Sequence, residues 1–156
     1  MMDAGRSFSG NERNCFFINL GNGKFADISG LSGLDFPDDG RAISVTDWDN
    51  DGDLDLWITN RNAPRLRLMR NDTKEVNSFI SLRLSGNGKT VNKDAIGARI
   101  EIINGNDSGK FKQIKTLRAG QGFLSQSSKW IQFALNETIK SIDIKISWPD
   151  GTVSKI

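Results

Sequence analysis

Residues 47–55, Asp-Trp-Asp-Asn-Asp-Gly-Asp-Leu-Asp, place an aspartate at every second position. Carboxylates that close repel one another unless a cation or a proton sits among them. Hard divalent cations are bound by oxygen, and Ca²⁺ takes six to eight such ligands. A tight loop with carboxylates at positions 1, 3 and 5 points them inward, and those positions are Asp47, Asp49 and Asp51. Gly52 at position 6 permits the sharp turn that a Cβ would obstruct. Asp53 at position 7 offers its main-chain carbonyl, and Asp55 at position 9 closes the set with a further carboxylate. The EF-hand begins in the same way but needs a bidentate Glu at position 12 and a helix on each side. Position 12 here is Ile58, and the flanks "AISV" and "LWIT" have the character of strands. The expected ligand set is therefore Asp47, Asp49, Asp51, Asp53 and Asp55, in a short loop joining two strands. The expected cofactor is Ca²⁺.

The rest of the composition narrows what such an ion does. The chain has no histidine and no tyrosine, and Cys15 is its only cysteine. A His-ligated zinc, a Ser-His-Asp relay and an internal disulfide are excluded. No Glu or Lys stands where it would serve as a base beside the loop. The ion is therefore expected to be structural and the chain not to be an enzyme.

The loop needs strands to hold it, and strands are what the patterning predicts. Short β-branched and aromatic runs fall at 15–20, 24–29, 41–48, 54–60 and 65–71. A second series falls at 78–86, 97–105, 110–118, 129–135, 141–148 and 152–156. Glycine, proline and asparagine clusters separate them. No amphipathic helix is discernible, and the fold class read here is mostly β. The polar stretch "NDTKEVN" at 71–77 marks a seam, which gives two modules, 1–72 and 73–156. No apolar run reaches the roughly 18 residues of a membrane helix, so membrane insertion is not expected. The net charge of +2 is by itself neutral on nucleic acid, and no nucleic-acid partner is expected. The opening "MMDAGRSFSG" lacks the apolar core of a signal peptide.

"FFINLGNGKFADISGLSGL" followed by "AISVTDWDNDGDLDLWITN" resembles the FG-GAP/VCBS repeat, the calcium-loop blade of integrin-type β-propellers. "NKDAIGARIEI", "GQGFLSQSS" and "SIDIKISWPDG" resemble the ASPIC/UnbV domain, which follows such repeats in cartilage acidic protein-like and bacterial secreted proteins. The resemblance implies an incomplete propeller blade over 1–72, feeding a small antiparallel β-sandwich-like domain over 73–156. It implies an extracellular, cell-surface or periplasmic location and further blades in a longer parent chain. The function it implies is a calcium-binding, non-enzymatic binding or adhesion module with an unidentified protein or glycan ligand. Two rival readings stay open: a carbohydrate-binding or carbohydrate-active component of a larger secreted enzyme, and an assembly scaffold that pairs through strand edges. A single blade has half a core, so the first module is expected to be marginal by itself.

Lesser features carry their own expectations. Arg61, Arg65, Arg67 and Arg70 either form a solvated face and pair with acids on neighbouring strands, or hold an anionic partner. Glu12, Arg13 and Asn14 are expected to build a turn rather than a contact to the metal loop. At least three of Trp48, Trp57, Trp130 and Trp148 are expected in the core, with Trp48 the candidate for stacking on a sugar. Cys15 is expected to be buried. "SWPDGT" at 147–152 reads as a hairpin turn. Asn71, Asn106 and Asn136 head glycosylation sequons.

Overall fold

The computed structural model describes residues 10–73, 78–106, 109–135 and 141–156. Among them there are eleven strands and no helix. The strands are β1 (Phe17–Gly21), β2 (Lys24–Asp27), β3 (Gly40–Thr46), β4 (Asp55–Asn60), β5 (Leu66–Met69), β6 (Phe79–Arg83), β7 (Arg99–Asn106), β8 (Gly109–Thr116), β9 (Trp130–Ala134), β10 (Ile142–Ser147) and β11 (Val153–Lys155). Each falls on a run that the patterning marked. They form four antiparallel sheets, with orders β1-β2, β3-β4-β5, β6-β9 and β11-β10-β7-β8. The mostly-β reading holds.

Side-chain alternation explains where the core lies. In β7, Ile100 and Ile102 face inward and are fully buried, opposite Ile146 and Ile144 of β10. On the outer face of β7, Glu101 pairs with Lys112 at 2.7 Å. In β9, Ile131 and Phe133 join the same core, opposite Leu82 and Ile80 of β6. Each of these large side chains contributes about 1.5–3 kcal/mol by leaving water. The turn at 147–152 forms as expected: Gly151 has φ +86° and its N–H donates to the Trp148 carbonyl at 3.0 Å.

The first half is built differently. Among its described residues Ile58 is the one hydrophobic side chain that is buried, whereas Asp38, Asp39, Asp55 and Asn60 all are. Polar pairing stands in for a core. Arg67 bonds Asp38 through Nε and lies over the Phe36 ring, 3.8 Å from its centre. Arg41 pairs with Asp39 at 2.9 Å, and Arg13 with Asp35 at 2.6 Å. Of the arginine cluster, Arg67 does pair with an acid, but Asp38 lies in the loop before β3 and not on a neighbouring strand. Residues 12–14 form no turn but lead into β1 as irregular chain tied to the segment before β3, with the Asn14 N–H donating to the Phe36 carbonyl at 3.1 Å and the Asp39 N–H to the Glu12 carbonyl at 3.3 Å.

Two further expectations need correction. Cys15 is exposed, in a half whose described residues bury a single hydrophobic side chain, Ile58. Trp48 and Trp130 are also exposed, at 57% and 56%, so at most two of the four tryptophans are core residues. Trp130 follows Cβ parity, since it shares the outer face of its strand with Gln132 while Ile131 takes the inner one. The sequon at Asn136 lies outside the described residues.

Candidate metal centre

The Asp-rich loop leaves β3 at Thr46 and returns as β4 at Asp55, and these two residues are cross-strand partners. The strands therefore fix both ends of the loop. Its middle is turned by Asn50 at φ +63° and Gly52 at φ +97°. Both lie in the left-handed region, which Asn tolerates and Gly adopts without a Cβ penalty. An apolar partner closes over the turn: a Cβ on Gly52 would stand 2.2 Å from carbons of the Phe79 ring in β6.

One carboxylate oxygen each from Asp47, Asp49 and Asp55 lies within 4.8 Å of the others. Two oxygens on one calcium ion are separated by at most about 5 Å, twice the metal–oxygen distance. Three residues of the expected set are therefore close enough to share an ion. Asp51 is not among them, and its Oδ1 accepts from the Asp53 N–H at 2.9 Å. Asp53 was expected to contribute its carbonyl, and its side chain has a different part. Partial burial, and then the charges of Asp51, Asp47, Asp55 and Asp49, hold the Asp53 carboxyl above its ordinary value.

The three gathered carboxylates are not equivalent. Asp55 is 1% exposed, and its oxygens accept from the Trp48 N–H and the Asn71 N–H, both at 2.8 Å. It organises the loop with or without an ion. Asp49 is open to solvent and lies 3.7 Å from Arg70, which also pairs with Asp72 at 2.7 Å. Asp47 accepts on Oδ2 from the Gly52 N–H at 3.2 Å and from Gln132 Nε2 at 2.6 Å. Its other oxygen, Oδ1, is buried and has no hydrogen-bond partner. A buried acceptor left bare costs about 1–3 kcal/mol, and a cation would satisfy it. All-oxygen donors with this orphan fit a hard cation such as Ca²⁺.

The second half closes the site from outside. Residues 126–128 run along the edge of β3 that β4 leaves open. The Ser128 N–H donates to the Val45 carbonyl at 3.0 Å, the Val45 N–H to Ser127 Oγ at 3.1 Å, and Ser44 Oγ to the Gln126 carbonyl at 2.7 Å. Residues 88–156 match the family model described as ASPIC and UnbV. No curated protein and no solved structure matches the chain. The matched region thus supplies most of the main core and the segment that caps β3. It also supplies Gln132, which the spacing of the aspartates gave no means of finding. Between the loop and the outer face of β6 and β9 lies a cavity of about 210 Å³, lined by Asp47, Leu54, Phe79, Trp130 and Gln132 among others.

Proposed function

We propose that the chain is a calcium-stabilised, non-enzymatic binding or adhesion module of an extracellular protein. In this reading the first half is an FG-GAP/VCBS-type blade joined to the ASPIC/UnbV region. Asp47, Asp49 and Asp55 give carboxylate oxygens to the ion, Asp53 gives its carbonyl, and Asp51 shapes the turn. The bound ion neutralises the aspartates and staples the end of β3 to the start of β4. The observation that carries the reading is the buried, unpartnered Oδ1 of Asp47 inside a three-carboxylate cluster.

The exposed apolar side chains of the first half, Phe17, Leu20, Phe25 and Ile43 among them, support further blades in a longer parent chain. The resemblance supports an extracellular setting, where sites of this kind work at about 10⁻⁴–10⁻³ M calcium. Calcium should raise the melting temperature, and Asp49→Ala should abolish that rise. Binding at a hundredfold excess over Kd is worth about 2.7 kcal/mol. An identical melting curve in calcium and in EGTA would refute the reading.

A second reading, glycan binding, draws on the exposed rings of Trp48, within the loop, and of Trp130, which lines the cavity beside it. Retention on a glycan array that Trp130→Ala removes, with the calcium response intact, would favour it.

A further inference from the structure

Gln132 sits in the middle of β9 and is 7% exposed. Its neighbours Ile131 and Phe133 face the core, so strand parity turns Gln132 the other way, toward the first half. A polar side chain is buried there because the Asp-rich loop covers that face. The amide reaches the loop across 85 positions of sequence, with Nε2 donating to Asp47 Oδ2 at 2.6 Å. A carboxylate only accepts, so the NH₂ arm must face it and the carbonyl arm must face away. That carbonyl oxygen, Oε1, is buried without a partner, as is Asp47 Oδ1. At the contact itself the bare acceptor is Asp47 Oδ1, and a buried carboxylate oxygen without a donor calls for a positive group. The backbone of Gln132 is held as well, since Lys115 Nζ donates to its carbonyl at 2.6 Å.

Resting on the calcium reading above, we infer that Gln132 is a positioning residue of the cation site and makes that site bipartite. It commits Asp47 Oδ2 to a hydrogen bond and leaves Oδ1 for the ion. Partners that orient a ligand in this way typically change metal affinity by about 10–100-fold when removed. The consequence reaches beyond the loop. Gln132 follows the 126–128 segment that docks on β3, so cation binding and that docking form one linked equilibrium. Linkage is reciprocal: whatever calcium does for the docked segment, the docked segment does for calcium.

The test uses the full chain and calcium chloride alone, with three proteins: wild type, Gln132→Leu and Gln132→Glu. Calcium affinity is read by titration calorimetry, and hydrogen exchange is followed at the Ser128 and Val45 amides. In wild type, calcium should slow exchange at both amides. Gln132→Leu should bind calcium about 10–100-fold more weakly and lose that protection. Gln132→Glu adds a carboxylate beside Asp47, so it should melt lower than wild type in EGTA and gain more from calcium. This larger gain is a signature that a merely structural glutamine would not give, and it survives even if the leucine variant folds poorly. Unchanged affinity in Gln132→Leu, or an unchanged calcium increment in Gln132→Glu, overturns the bipartite site while the loop site stands. Wild-type protein that binds no calcium overturns both.

Discussion

The ring of Phe79 occupies the space that any side chain on Gly52 would need, with ring carbons 2.2 Å from an ideal Cβ. Gly52 is thus required twice, once by its φ of +97° and once by a side chain from the other half of the molecule. Gly52→Ala should destabilise the protein by about 2–4 kcal/mol, combining backbone strain with overpacking. Because Phe79 is 42% exposed, part of the cost is relievable. Gly52→Ala with Phe79→Ala should recover some stability relative to the sum of the single changes, and urea midpoints of the four proteins measure the coupling. Strict additivity would mean that only the backbone matters.

Asp49 and Asp55 should separate metal binding from loop architecture. Asp55→Ala leaves the Trp48 and Asn71 amides without their acceptor and should cost about 2–4 kcal/mol even in EGTA. Asp49→Ala removes an exposed carboxylate and should leave the EGTA melting curve nearly unchanged while erasing the calcium increment. Equal behaviour of the two variants in EGTA would contradict this division of labour.

Asp53 should behave as a repulsive carboxylate in the calcium-free protein. Its folded-state pKa is raised, first by burial and then by the neighbouring aspartates. A raised carboxylate contributes stability below its unfolded pKa of about 4 and loses it as pH climbs through the folded value. Asp53→Asn should therefore raise the melting temperature at pH 7 in EGTA, with the gain fading toward pH 3. The main-chain carbonyl is retained, so calcium should still bind. A melting temperature that fell at pH 7 in EGTA would show that the carboxylate makes a stabilising contact in the calcium-free protein instead.

Arg67 and Arg65 lie two residues apart with different duties. Arg67→Ala strips a charged partner from the carboxylate of Asp38, a residue 5% exposed whose Oδ2 also takes a 3.3 Å contact from Asn60 Nδ2. It also uncovers Phe36. The melting temperature should drop clearly for Arg67→Ala and stay within error for the exposed Arg65→Ala. Comparable drops would place the stabilising contact elsewhere.

The sequence by itself determined the strands, because alternation and turn residues act over a handful of positions. "RIEII" and "IDIKI" announce β7 and β10, and Gly151 announces the turn after them. It also determined the loop, since carboxylates two apart around a glycine have few uses besides an ion. Tertiary structure alone decided that Asp47, Asp49 and Asp55 converge while Asp51 bonds within the turn, because convergence depends on how Asn50 and Gly52 bend the chain. It decided that Trp130 is exposed and Gln132 buried, although both lie on the outer face of β9. That outcome depends on what covers the face, and the cover comes from residues far away in the chain. Local patterning carries no term for such a contact, and hydrophobic burial is settled only when whole elements meet.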